Sequence, residues 1–247
     1  MESITIGGLL SRAFSTFLGN FTAFFLIAAL VTVISTGILL ALGFQELMYG
    51  TVDPASFDPA QLGLLFLVSI LLYVGFYMVA SGAITFGTIR FLNNDPATVA
   101  ECLSRGLAVA VPLFFMGLIA AFGVAIGLAF FLIPGIILMV MWYAAAPALV
   151  VERTGVVGSL SRSAELTKGA RWKILGLIFI VYGISFVIGA ILEVVTGLFG
   201  VLASALIGAI VEALFLAFGA VTAAVVYQEL RVAKEGVGIS DMAGVFD

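Results

Sequence analysis

Hydrophobic residues along this chain come in long, nearly uninterrupted runs, too uniform to form one face of a water-exposed helix and about as long as a bilayer is thick. The first run covers 21–43. A turn-rich stretch, 44–59, follows it with Gly50, Asp53-Pro54 and Asp58-Pro59. Asp58 reads as an N-cap with Pro59 at the first helical position and Gln61 closing a capping box, so a second run covers 60–89. Residues 106–151 carry no charge, and as one helix they would rise about 70 Å, roughly two bilayers. Pro134-Gly135 is the strong breaker near the middle, which predicts spans at 107–133 and 135–151. Residues 174–228 repeat the pattern around Gly197 and Gly200, giving spans at 172–196 and 201–228. The expectation is an all-α integral membrane bundle of six helices forming a single membrane domain over 1–247.

Shorter amphipathic segments precede some of these runs. Over 4–18, Leu9, Leu10, Ala13, Phe14 and Phe17 oppose Ser11, Ser15 and Thr16, the pattern of a helix lying in the interface. The triplet Leu10-Ser11-Arg12 recurs as Leu103-Ser104-Arg105 and Leu160-Ser161-Arg162, each on such a segment. Asp95-Pro96 is expected to cap the second segment and Thr154 to start the third, with Gly169 ending it. Three repeats of interfacial helix plus transmembrane hairpin follow, at about 1–92, 93–152 and 153–235. All begin on one side, so they are parallel repeats and not inverted ones.

Composition agrees with the membrane reading. Apolar residues make up 63% and charged residues 10% of the chain, against about a quarter charged in an ordinary soluble domain. The N-terminus shows no basic region ahead of a short apolar stretch, so no cleavable signal peptide is expected. Alternating sides through six spans gathers all ten basic residues, Arg12, Arg90, Arg105, Arg153, Arg162, Lys168, Arg171, Lys173, Arg231 and Lys234, on one side. The other side holds only Glu46, Asp53 and Asp58. Short cytoplasmic loops carry the excess of lysine and arginine, which predicts both termini cytoplasmic. Without histidine, and with Cys102 as the single cysteine, neither a metal site nor a cofactor is expected, and Cys102 reads as an ordinary small residue. Nucleic acid is not an expected partner.

Within the spans, chemistry is sparse. Glu193 shares four-residue spacing with Gly189 and Gly197, and Glu212 with Ser204 and Gly208. Such small-residue faces predict close helix approach, and an ionisable group there predicts a bundle interior or a wet cavity. No span supplies a basic partner, so Glu212, near mid-membrane, is expected to carry its proton. Ser69, Tyr73, Tyr77, Ser81 and Thr85 recur every fourth residue and, with Tyr143 and Tyr182, read as a polar stripe for Glu212 or as interhelical glue. Gly123 and Gly127 form a close-packing motif. Arg162, Lys168, Arg171 and Lys173 read as an anionic headgroup cluster or as plain topological anchors.

Over 130–180 the order Ile133-Pro134-Gly135, Ala146-Pro147-Ala148-Leu149-Val150-Val151-Glu152 and Leu166-Thr167-Lys168-Gly169 resembles a bacterial membrane-domain family found alone or fused to glycerophosphodiester phosphodiesterases. The resemblance implies a non-catalytic helical membrane domain of unassigned function in a bacterial inner membrane. With no histidine present, phosphodiesterase activity does not carry over. Two functions compete: a non-enzymatic lipid-associated or scaffolding protein, with a protein partner or a second copy as further candidates, and a channel or proton-coupled transporter of a small or amphiphilic solute using Glu212. A cavity reaching Glu212 would favour the second.

Overall fold

The computed structural model describes residues 4–44, 47, 53 and 58–236. Glu46, Gly50 and Pro54 of the first turn-rich stretch lie outside the described residues. The helices are α1 Ile6–Gly19, α2 Phe21–Ala41, α3 Pro59–Leu92, α4 Val99–Phe130, α5 Leu132–Met141, α6 Ala145–Glu152, α7 Gly155–Thr167, α8 Arg171–Thr196 and α9 Val201–Glu235, with a 3-10 turn at Gly197–Phe199. No strand occurs among the described residues. Among the described residues, six stretches are long and apolar enough to cross a bilayer: α2, α3, α4, α5 with α6, α8 and α9. The protein is an all-α membrane bundle.

Several boundaries move for local reasons. The break before the fourth span falls at Phe131, which is extended (φ −158°, ψ 139°), and not at Pro134-Gly135. Pro134 sits in the first turn of α5, where a missing N–H costs no intrahelical bond. Gly135 is instead a packing residue: a Cβ there would meet the Leu128 side chain, and one at Gly127 would lie 2.9 Å from the Gly135 Cα. Helix α5 rises only about 15 Å, so the crossing is completed by the kink at Trp142 and by α6, whose Ala145 and Pro147–Val151 are buried. Gly123 receives the Trp142 ring, 2.6 Å from where a Cβ would be.

The second interfacial segment is not a separate helix. Thr98 and Glu101 form a full capping box that starts α4 at Val99, and nothing interrupts the helix before Phe130. The triplet Leu103-Ser104-Arg105 therefore lies inside α4, whereas α1 and α7 are helices of their own. Asp95 does not cap; its carboxylate pairs with Arg90 at 2.6 Å. Asp58 occupies the N-cap of α3 without a side-chain cap bond. Helix α1 is capped by Thr5, whose Oγ accepts from the Gly8 N–H at 3.1 Å. Its inner face, Leu9, Ala13, Thr16 and Phe17, is buried, with the Phe17 ring edge-on to Phe218 of α9 at 5.6 Å.

Helix α9 is the central post. Ala213, Leu216, Ala217, Val221 and Val225 enter one buried cluster with α2, α3, α4 and α6. Val226, Tyr227 and Leu230 enter a second with α1, α5, α6, α7 and α8. Helices α3 and α4 meet closely at Gly82 and Gly106, where a Cβ on Gly106 would strike the Val79 carbonyl oxygen and come within 3.0 Å of the Ala83 nitrogen. Cys102 is buried in this contact, beside Gly87.

Candidate functional site

Helix α8 joins the core through Ile174, Leu177, Ile178 and Val181. Beyond Val181 its apolar side chains, among them Ile184, Phe186, Ile191 and Val194, are exposed, so the helix stands off from α9 until the 3-10 turn brings the chain back. The resulting half-open cleft has a volume of about 440 Å³ and a mostly apolar lining. It runs from Thr196 and Ser204 beside the turn to Gly219, about 22 Å along α9. Tyr73 and Tyr77 of α3 form its third wall.

Both intramembrane acids line this cleft. Glu212 is half-buried at its centre, and Tyr73 borders the same space. Glu193 is exposed, near the turn. The small-residue faces do something other than what their spacing suggests: a Cβ at Gly189, Gly208 or Gly219 would meet nothing within 4 Å. These glycines open a cavity and do not seat a neighbouring helix. Among the described residues, no lysine or arginine lines the cleft.

The polar stripe divides. Tyr73 and Tyr77 stack at 6.5 Å between ring centroids and face the cleft with Tyr182. Ser69, Ser81 and Thr85 do not line it, and Tyr143 sits behind it, packed on the second core cluster. Four-residue spacing drifts about 40° per step against the 3.6-residue turn, so Ser69 and Thr85 point nearly opposite ways. Ser69 Oγ is buried without a hydrogen-bond partner among the described residues. Hydroxyls not singled out from the sequence also border the site: Ser185 and Thr196 line the cleft, and Thr32 and Ser35 of α2 line a small void behind Tyr73 and Glu212. Ser204, Ser185 and Thr32 donate to helix carbonyls, at 2.6 Å to Thr196, 2.8 Å to Val181 and 2.9 Å to Ala28.

At the basic end the charges mostly pair with one another. Arg162 Nε donates to both Glu152 oxygens at 2.9 Å, and its Nη2 donates to Glu235. The Tyr227 hydroxyl donates to Glu152 at 2.7 Å, and Arg231 Nε donates to Glu235 at 3.1 Å. Arg12 pairs with Glu229, and Arg105 donates to the Val150 carbonyl at 3.1 Å. Burial works against the Arg162 charge, but the hydrogen-bonded carboxylates of Glu152 and Glu235 more than offset it and hold its pKa above the usual arginine value. Arg162 thus leaves the expected headgroup cluster: it is an internal tie between α6, α7 and α9. Lys168, Arg171 and Lys173 have no ion pair among the described residues.

Comparison of the chain with protein-family models, with curated protein sequences and with solved structures found no match. The cleft itself is the guide to function.

Proposed function

We propose that the protein is a non-enzymatic carrier in a bacterial inner membrane, with the basic end in the cytoplasm, that takes a lipophilic cation into the cleft between α8 and α9 and releases a proton from Glu212 as it does so. The observation that carries this reading is the lining: two carboxylates, three tyrosine rings, three hydroxyls that donate to helix carbonyls, an otherwise apolar wall and, among the described residues, no basic side chain. Its volume is within the range of small-molecule pockets. Tyrosine faces attract organic cations, and a carboxylate within the hydrocarbon is costly unless a counter-charge accompanies it. Uptake of a cation in exchange for the proton leaves the net charge of the site unchanged, so no extra charge is added within the bilayer. The resemblance of residues 130–180 to a non-catalytic membrane domain is compatible with it.

Reconstituted vesicles test this with tetraphenylphosphonium as the probe, orientation being set by impermeant labelling of a cysteine at position 98 in a Cys102-free chain. Wild type is expected to bind the probe with proton release. Glu212→Gln should weaken binding by about tenfold, the worth of one ion contact of about 1.4 kcal/mol, and abolish proton release. Gly208→Leu should fill the cleft and block binding. Equal binding by all three proteins, or position 98 labelled from the periplasmic side in cells, would count against the reading.

A further inference from the structure

A second cavity, about 370 Å³, lies at the opposite end of α8 from the Glu212 cleft. Ile133, Ile136, Ile137 and Val140 of α5 form one side, and Trp172 and Leu175 of α8 the other. Arg171 is the one charged side chain in its lining among the described residues. We propose that this groove binds one anionic phospholipid, with the phosphate on Arg171 and an acyl chain lying along α5.

Three observations carry the assignment. Arg171 Nε is buried with no hydrogen-bond partner among the described residues, whereas Arg12, Arg90, Arg162 and Arg231 all have carboxylate partners. A buried N–H without an acceptor is costly, and a phosphate oxygen is, like a carboxylate, a strong charge-assisted acceptor for a guanidinium. Further positive charge gathers there: the Lys234 ammonium lies within electrostatic reach of Lys168 and Arg171, with the Glu165 carboxylate and the carboxylate-paired Arg162 also near, and itself donates to the Glu165 carbonyl at 2.5 Å. Trp172, 85% exposed beside the cation, is placed as an interfacial anchor. A cationic head above an apolar trough matches a charged lipid in both parts. A second copy of the chain docked here about a twofold axis would bring its own Arg171 and Lys168 against these, like charge on like.

The site stands apart from Glu212 and does not depend on the carrier reading. The test is native mass spectrometry of the purified full chain, delipidated and then offered phosphatidylglycerol or phosphatidylcholine in equal amounts. Wild type is expected to retain phosphatidylglycerol about tenfold over phosphatidylcholine, and Arg171→Gln to lose that preference. Ile137→Trp, which crowds the trough and keeps the charge, should lower retention of both lipids; it answers the question even if the arginine variant is poorly folded. Inorganic phosphate at the same concentration should not displace the lipid. Retention by Arg171→Gln at the wild-type level, displacement by phosphate alone, or a dimer of the chain that Ile137→Trp splits would each overturn the proposal.

Discussion

Glu152→Ala is expected to lower the unfolding free energy of the detergent-solubilised protein by about 3 kcal/mol, the lower end of what breaking a buried ion pair costs. The carboxylate sits where α6, α7 and α9 meet. It accepts both Nε bonds of Arg162 and the Tyr227 hydroxyl, and Arg231 Nε lies 3.9 Å away. Its removal leaves Arg162 tied to Glu235 alone and takes the acceptor from the hydroxyl of fully buried Tyr227, whose remaining bond is the one it accepts from Arg231 at 3.4 Å. Tyr227→Phe removes one partner and its own donor together, so it should cost only about 1 kcal/mol. Thermal unfolding of the two variants beside the wild type distinguishes them. An unchanged midpoint for Glu152→Ala would mean that the cluster is a solvated surface array contributing little.

Gly106→Val should be similarly damaging, about 3 kcal/mol, for a steric reason. At Gly106 the added atoms run into the Val79 carbonyl oxygen and the Ala83 backbone, neither of which can swing aside as the tip of a side chain can. The control lies in the same protein. Gly208→Ala meets nothing within 4 Å and should be neutral or stabilising by up to about 1 kcal/mol through helix propensity. If both substitutions were equally harmful, the glycines of α9 would be packing residues after all and the cleft would be closed.

The six crossings were legible because a charge-free run of bilayer length has too much apolar surface for a small chain to hide from water. Breaks were less so. Pro134-Gly135 has the composition of a turn, yet a proline in the first turn of a helix is harmless and a glycine can serve packing, so the break fell at Phe131. The acids of the cleft were legible from the same sparseness of charge that revealed the spans. The cleft was not, since glycine every fourth residue describes both a tight helix contact and an open wall. Gly123 and Gly127 proved to be the first kind, and Gly189 and Gly208 the second. Thr32, Ser35 and Ser185 gave no sequence signal, because a hydroxyl that bonds to its own helix is common anywhere in a span. The headgroup cluster was overdrawn at Arg162 because counting charges does not reveal which are already paired.

Carrier function requires that Glu212 be reachable from the membrane and shared with a cationic ligand. A hydrophobic carbodiimide modifies neutral carboxyl groups that it can reach from the hydrocarbon, and peptide mass mapping locates the adduct. The predicted result is an adduct on Glu212 in the wild type, its suppression by tetraphenylphosphonium, and its absence in Gly208→Leu. An unmodified Glu212 in folded wild-type protein, or labelling indifferent to the cation, would contradict it.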